Sequence, residues 1–185
     1  MKKTSPAEKT AKSGHEAENS GMDSELHELF LDELADLLSA EQQLVKALPK
    51  IAKAAQAEEL AEAITSHLSE TEEHVKRLQD VFHLLGETPR SKKCKAMAGL
   101  LEEGAELIKE KKSSPALDAA IIAAAQKVEH YEIASYGTVC AWARRMQHTQ
   151  EEVLLLETLN EEKAADEKLT GIAERAANQK AEAGH

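Results

Sequence analysis

Three glutamates and an aspartate stand where amphipathic helices should carry aliphatic residues. At 100° per residue, Glu41 falls between Leu38 and Val45, and Glu129 between Ala125 and Ile133. Glu162 and Asp166, at i and i+4, fall between Leu159 and Leu169. Each position is the centre of a face that should be buried. A further helical segment has Thr71 at its centre, His67 and His74 toward one edge and Glu70 further round; Glu132 and Glu161 occupy comparable edges of their own segments. Burying such a group without compensation costs several kcal/mol per charge, and clustered carboxylates raise one another's pKa. Two divalent cations remove both problems, because about +4 of charge matches about four carboxylates, and carboxylate and imidazole ligands suit iron, manganese or zinc. The candidate ligand set is therefore Glu41, His67, Glu70, Glu129, Glu132, Glu162 and Asp166. Glu161 and His74 are the alternatives, since a drift of ~20° per heptad carries an edge residue in or out. His67 is preferred to His74 because it lies nearer the stripe.

Taken singly, each of these glutamates also reads as a boundary residue with a solvated head, because 31 % of the chain is charged. The coincidence of central acids on three helices is what argues for one site. His130 lies about 80° off its stripe and is expected to face outward or toward an oligomer interface. His27, His83 and His148 are read as surface residues, and Tyr131, Tyr136 and Trp142 as packing groups. Cys140, on an apolar stripe, is read as a small buried hydrophobe; Cys94, between lysines, as a surface thiol.

The elements that must position these residues are helices. Apolar residues at steps of three and four, with cap and stop signals, predict helices near 24–55, 57–85, 115–147 and 149–176, and a shorter one over 92–112. Asp23 or Ser24 can cap the first, Gly86 with Pro89 stops the second, and Ser114-Pro115 opens the fourth. Short links make 24–55 and 57–85 one antiparallel hairpin, and 115–147 and 149–176 another. The long link between the hairpins, with its extra helix, selects the ferritin-like four-helix bundle over a simple up-down bundle. A weak repeat at an offset of 91 pairs Glu41 with Glu132 and Glu70 with Glu161. Residues 1–22 and 177–185 read as disordered tails.

Composition agrees. Of 185 residues, only 12 are Gly or Pro, too few for the turns of an all-β domain, while 42 % are apolar, enough for one core. The net charge of −11, with no basic stripe, argues against nucleic acid as a partner, and no apolar run reaches the ~18–20 residues of a membrane span, so no membrane is expected. Residues 1–20 lack the apolar segment of a secretory signal. Two cysteines make no disulfide framework, so a reducing cytoplasm is expected. Ile121, Val139 and Leu154 lie off the central faces, which points to a helix-face homodimer.

The segments LFLDELADLLSAEQQLVKALPKIAKAA, SHLSETEEHVKRL, KCKAMAGLLEEG, DAAIIAAAQKVEHYEIASYGT and ETLNEEKAADEKLT resemble the YciF-like family of bacterial ferritin-like proteins over about residues 25–175. The resemblance implies an all-α ferritin-like fold, a dimer, an association with bacterial stress responses, and a di-metal centre like that of rubrerythrins and ferritins. The chain departs from those relatives in two ways. Neither 57–85 nor 149–176 carries Glu-x-x-His in the expected place, the former reading His67-x-x-Glu70, and Leu38 stands where many relatives have Tyr. The expected function is that of a di-iron or iron–manganese protein acting on oxygen, peroxide or ferrous iron. The alternative is a metal-free or structural-metal dimer that binds a partner without catalysis. A storage cage is not expected, because the tails and the extra helix do not suit a fitted shell.

Overall fold

Two aliphatic clusters, one at each end, hold four long helices around a polar middle. The computed structural model describes residues 25–183, and among them every regular element is helical. The order is α1 (Glu25–Ala54), α2 (Glu58–Leu84), α3 (Lys95–Lys111), α4 (Leu117–Arg145), α5 (Thr149–Ile172), a π-helical turn (Ala173–Ala177) and α6 (Asn178–Ala183). The tail expected over 1–22 and the caps Asp23 and Ser24 lie outside the described residues.

At one end the start of α1 (Phe30, Leu34, Leu37), the end of α2 (Leu78, Val81, Phe82), the end of α4 (Tyr136, Val139, Ala143) and the start of α5 (Leu155, Leu159) pack together. At the other end the termini are exchanged: Leu44 and Leu48 of α1, Leu60 and Ile64 of α2, Ile121 and Ile122 of α4, and Leu169 and Ile172 of α5, with Met97 of α3. This membership fixes the directions. α2 runs antiparallel to α1, α5 antiparallel to α4, and α4 parallel to α2, which a crossover spanning the length of the bundle allows. It is the ferritin-like arrangement expected from the sequence. Each fully buried Leu, Ile or Phe contributes roughly 1.5–3 kcal/mol.

The crossover is tied down at its middle, where the Lys92 amide donates to Ala35 O at 2.9 Å and the Cys94 amide to Ser39 Oγ at 3.0 Å. Cys94 then caps α3, its Sγ accepting from the Met97 amide at 3.3 Å. It is fully buried, which corrects the surface reading: the strand-like approach to α3 turns the thiol onto Tyr131 instead of leaving it among the lysines. Gly104 lets α3 lie close on α4, since a Cβ there would stand 3.3 Å from that of Ala124.

Several boundaries differ from expectation. α4 begins at Leu117; Ser114 Oγ accepts from the Ala116 amide at 3.1 Å, one turn before the regular helix. Helical structure continues past residue 176 through the π-turn to Ala183. Ile121 and Val139 are 1 % and 0 % exposed. They are core residues rather than an outer face, because α4 is covered by α1, α3 and α5 together and buries more than one stripe. His27 is also buried rather than on the surface: the α4–α5 turn brings His148 onto the first turns of α1, 5.7 Å from the His27 ring and stacked on Phe30.

Candidate metal centre

Between the two aliphatic clusters the core is polar. α1 supplies Glu41, α2 His67, Thr71 and His74, α4 Glu129 and Glu132, and α5 Glu162, all of them buried. Each sits on the face that its neighbours commit to the interior: Glu41 is flanked by Leu38 and Leu44, and Glu162 follows Leu159 by one turn. The ligand atoms fall into two groups. His67, Glu129, Glu132 and Glu162 bring one atom each within 4.8 Å of one another, and so do Glu41, His74 and Glu162. Glu162 belongs to both.

The two imidazoles are held alike. His67 Nδ1 meets Glu70 Oε2 at 3.3 Å, leaving Nε2 facing Glu129 at 3.6 Å and Glu162 at 3.8 Å. His74 Nε2 meets Glu161 Oε2 at 3.0 Å, leaving Nδ1 facing Glu162 at 3.0 Å and Glu41 at 3.5 Å. A carboxylate on the outer nitrogen fixes the tautomer and turns the other nitrogen inward, the arrangement that orients metal-ligating histidines. Arg77 grips Glu161 through both guanidinium nitrogens. Glu70 and Glu161, which hold the two rings, are the pair related by the offset of 91.

The metal-free site is electrostatically unfavourable. Burial pushes the carboxyls of Glu129, Glu132 and Glu162 above the ordinary range, and their mutual repulsion adds to it, against the lowering pull of His67 on Glu129 and of His74 on Glu162. Burial opposes charging of His74, but its contacts with Glu162 and Glu41 prevail and push it up to about 10. Tyr136 OH donates to Glu41 Oε1 at 2.5 Å. Thr71 gives its hydroxyl to His67 O, at 2.8 Å, and so offers the carboxylates nothing. Eight buried atoms of the cluster lack a well-aligned hydrogen bond: Glu41 Oε2, His67 Nε2, His74 Nδ1, Glu129 Oε2, both Glu132 oxygens and both Glu162 oxygens, although His74 Nδ1 and Glu162 Oε1 pair their charges at 3.0 Å. Buried polar atoms are ordinarily satisfied, and this donor set has the hard oxygen and imidazole character that iron and manganese take. The residues present therefore fit a pair of such ions.

Of the sequence candidates, Glu41, His67, Glu129, Glu132 and Glu162 converge. Glu70 stands behind His67 with its side chain 43 % exposed. Asp166 is outside the cluster: Gln126 donates to it at 3.1 Å and His130 approaches it at 3.4 Å. One helical turn beyond Glu162, α5 has rotated it toward the edge of α4. His74, ranked below His67, is fully buried at the centre, and both imidazoles stand in the cluster. Tyr136, read as a packing group, packs in the core and also gives its hydroxyl to Glu41. Arg77, a charged side chain off the apolar stripe yet only 18 % exposed, gave no signal in the stripe pattern. With His67 and His74 both on α2 and Glu129 and Glu132 both on α4, the bundle assembles four glutamates and two histidines. Di-metal bundles reach that total from one Glu on each of two helices and Glu-x-x-His on the others.

Relatives share this fold and sequence. Residues 25–182 match the family described as Domain of unknown function (DUF892). Protein YciF of Escherichia coli strain K12 is 45 % identical over 158 residues, 85 % of this chain and 95 % of that protein. The crystal structure of the E. coli stress protein YciF superposes with a TM-score of 0.80 at 43 % identity, covering 85 % of this chain and 99 % of that one. YcfI from Rhodopseudomonas palustris gives 0.76 at 43 % identity, over 84 % and 98 %. A protein from Xanthomonas campestris, 19 % identical with a TM-score of 0.67, shares the fold. The chain belongs to the DUF892 family, alongside YciF.

Proposed function

We propose that the chain is a ferritin-like di-metal protein of the bacterial stress response, working in the cytoplasm as a homodimer and handling oxygen, peroxide or ferrous iron. One observation carries the reading: four glutamates and two histidines meet in one buried cluster, with eight ligand atoms that lack a well-aligned hydrogen bond. His67, Glu129, Glu132 and Glu162 are the ligands for one ion, Glu41, His74 and Glu162 for the other, with Glu162 the shared carboxylate. Iron, or iron with manganese, suits this set. Such a pair supplies one-electron redox steps and open coordination positions. The chain's own groups prepare the site. Glu70 and Glu161 accept from the outer histidine nitrogens, Tyr136 donates its hydroxyl to Glu41, and the buried Leu38 and Leu44 flank Glu41 on α1. The relative described as a stress protein supports the physiological setting.

The test is metal analysis of freshly purified protein, without added chelator, on wild type and on Glu41→Ala with Glu129→Ala. About two equivalents of iron or manganese in the wild type, falling to below about half an equivalent in the variant, is the expected result. Unchanged metal in the variant removes these residues from the ligand set. No metal in either protein, with the variant melting higher, identifies an acidic core without a metal role.

A further inference from the structure

A chamber lies against the carboxylate–histidine cluster on the side of the crossover helix. Its volume is about 380 Å³, and α1, α3 and α4 form its walls. That lies within the roughly 300–1,000 Å³ of small-molecule sites. α3 covers it with unusual side chains for a packed helix. Only Met97 and Gly104 of α3 are buried, while Leu100, Leu101 and Ile108 are half-buried and turn their remaining surface into the chamber. The opposite walls are equally aliphatic, with Leu44, Ile121 and Val128. Three places in its lining are polar, one of them Gln43, whose amide nitrogen is already given to Ser39 and to Cys94 O. Glu129, a member of the cluster, forms part of its lining. Lys46 and Lys50, one helical turn apart on α1, also line it, are exposed, and make no ion pair or hydrogen bond among the described residues. Two unpaired cations on a chain of net charge −11 mark a place that selects anions.

We propose that this chamber binds an aliphatic monocarboxylate of medium chain length, its tail among the α3 and α4 side chains and its carboxylate at Lys46 and Lys50. The aliphatic walls exclude a polar substrate, because a sugar or nucleotide would leave its hydroxyls unsatisfied there. The lysines exclude a cationic amphiphile. The chamber shares Glu129 with the cluster, so the bound chain lies beside the proposed metal centre. Its role as that centre's substrate rests on the reading above; its binding does not.

The probe is decanoate, titrated calorimetrically into full-length protein freed of metal by dialysis against chelator. Saturable one-to-one binding is expected. Lys46→Glu with Lys50→Glu, both exposed and away from the core, should weaken it about tenfold. Ala47→Phe, which fills the chamber from α1, should weaken it at least about tenfold. Decyltrimethylammonium, with the same tail and the opposite charge, should bind at least about tenfold more weakly. Absence of saturable binding overturns the proposal, as does binding that neither variant changes or that the cationic amphiphile matches. Metal analysis of the untreated sample separates the two ideas: decanoate binding by a protein that never carries metal upholds the chamber and removes the metal centre.

Discussion

At the scale of single residues, the site is governed by how few donors reach its carboxylates. Among the described residues, Tyr136 is the one neutral hydroxyl that does so, through Glu41. Its ring is fully buried among the aliphatic residues of one end of the core, so Tyr136→Phe keeps the packing and deletes only the hydrogen bond. Leaving a buried carboxylate oxygen without its donor costs about 1–3 kcal/mol. The metal-free variant should therefore unfold at lower denaturant than metal-free wild type, with the slope of the transition unchanged. An unaltered midpoint would remove Tyr136 from the site. The two cysteines do different work. Burial and then Asp36 push the Cys94 thiol up, and burial pushes Cys140 up to about 11, so neither is a ready thiolate at neutral pH. Cys94 instead belongs to a small network in which Tyr131 OH donates to Asp36 at 2.7 Å and lies 3.1 Å from Sγ, fastening the start of α3 to α1 and α4.

At the scale of elements, helix ends decide where the side chains of the site point. α2 and α4 stop with the same hydrogen-bond pattern. After α2, the Gly86 amide donates to His83 O and the Glu87 amide to Phe82 O; after α4, the Gln147 amide donates to Arg144 O and the His148 amide to Ala143 O. The pattern needs a left-handed residue after the helix. Gly86 supplies it at φ 75°, whereas Gln147 must adopt φ 64° with a side chain, a conformation that costs roughly 1 kcal/mol in a residue with a Cβ. Gln147→Gly should accordingly raise stability by roughly 0.5–1 kcal/mol in denaturant titration, and a loss of stability would show that the Gln147 side chain contributes more than its strain. The contrast also explains what was legible. Gly86 announces its stop in the sequence; Gln147 does not, and the end of α4 was placed from the stripe alone. The helical stripes located Glu41, Glu129 and Glu162 correctly at the centre, because a residue flanked by aliphatics on one face has one direction to point. They failed for Asp166, which the stripe also centred, and at the edge for His74, since the rotation of α2 and α5 is set by neighbours that the stripe does not contain. Asp118 was invisible for a related reason: it is buried to accept from the Gln56 and Ala57 amides, at 2.7 and 3.1 Å, and its partners lie in a turn some 60 residues away.

At the scale of the whole molecule, the buried cluster makes stability depend on pH in a predictable sense. In the metal-free protein Glu129, Glu132 and Glu162 lie above their ordinary pKa through burial, and His67 and His74 are also raised because their carboxylate partners outweigh burial. Above about pH 4.5 the folded chain thus holds more protons than the unfolded one, and stability falls as pH rises. Glu70, lowered by His67, and Glu161, where Arg77 overcomes burial, act the opposite way, but only below about pH 4.5. The metal-free protein should melt higher at pH 5 than at pH 8; the metal-loaded protein should do the reverse, because ligands must lose protons to bind metal. A metal-free melting point that climbs with pH would show that the cluster is not the buried charge described here. The remaining question at this scale is assembly. No helix among the described residues is long and apolar enough to cross a membrane. The large exposed hydrophobics are Leu29, Leu84, Val153 and Leu156. Leu29 lies near the start of α1, Leu84 ends α2, and the other two lie near the start of α5, so the bundle's directions place all four toward the same end. A stable dimer needs about 800 Å² from each partner, for which this patch would form the apolar centre and the surrounding charges the rim. Light scattering should give twice the chain mass of 20.2 kDa, and Val153→Glu with Leu156→Glu should return it to one chain without lowering the melting point by more than a few degrees. A monomeric wild type at micromolar concentration defeats the dimer. A dimer that survives the double substitution moves the interface away from this end of the bundle, toward the outer faces of α2 and α5.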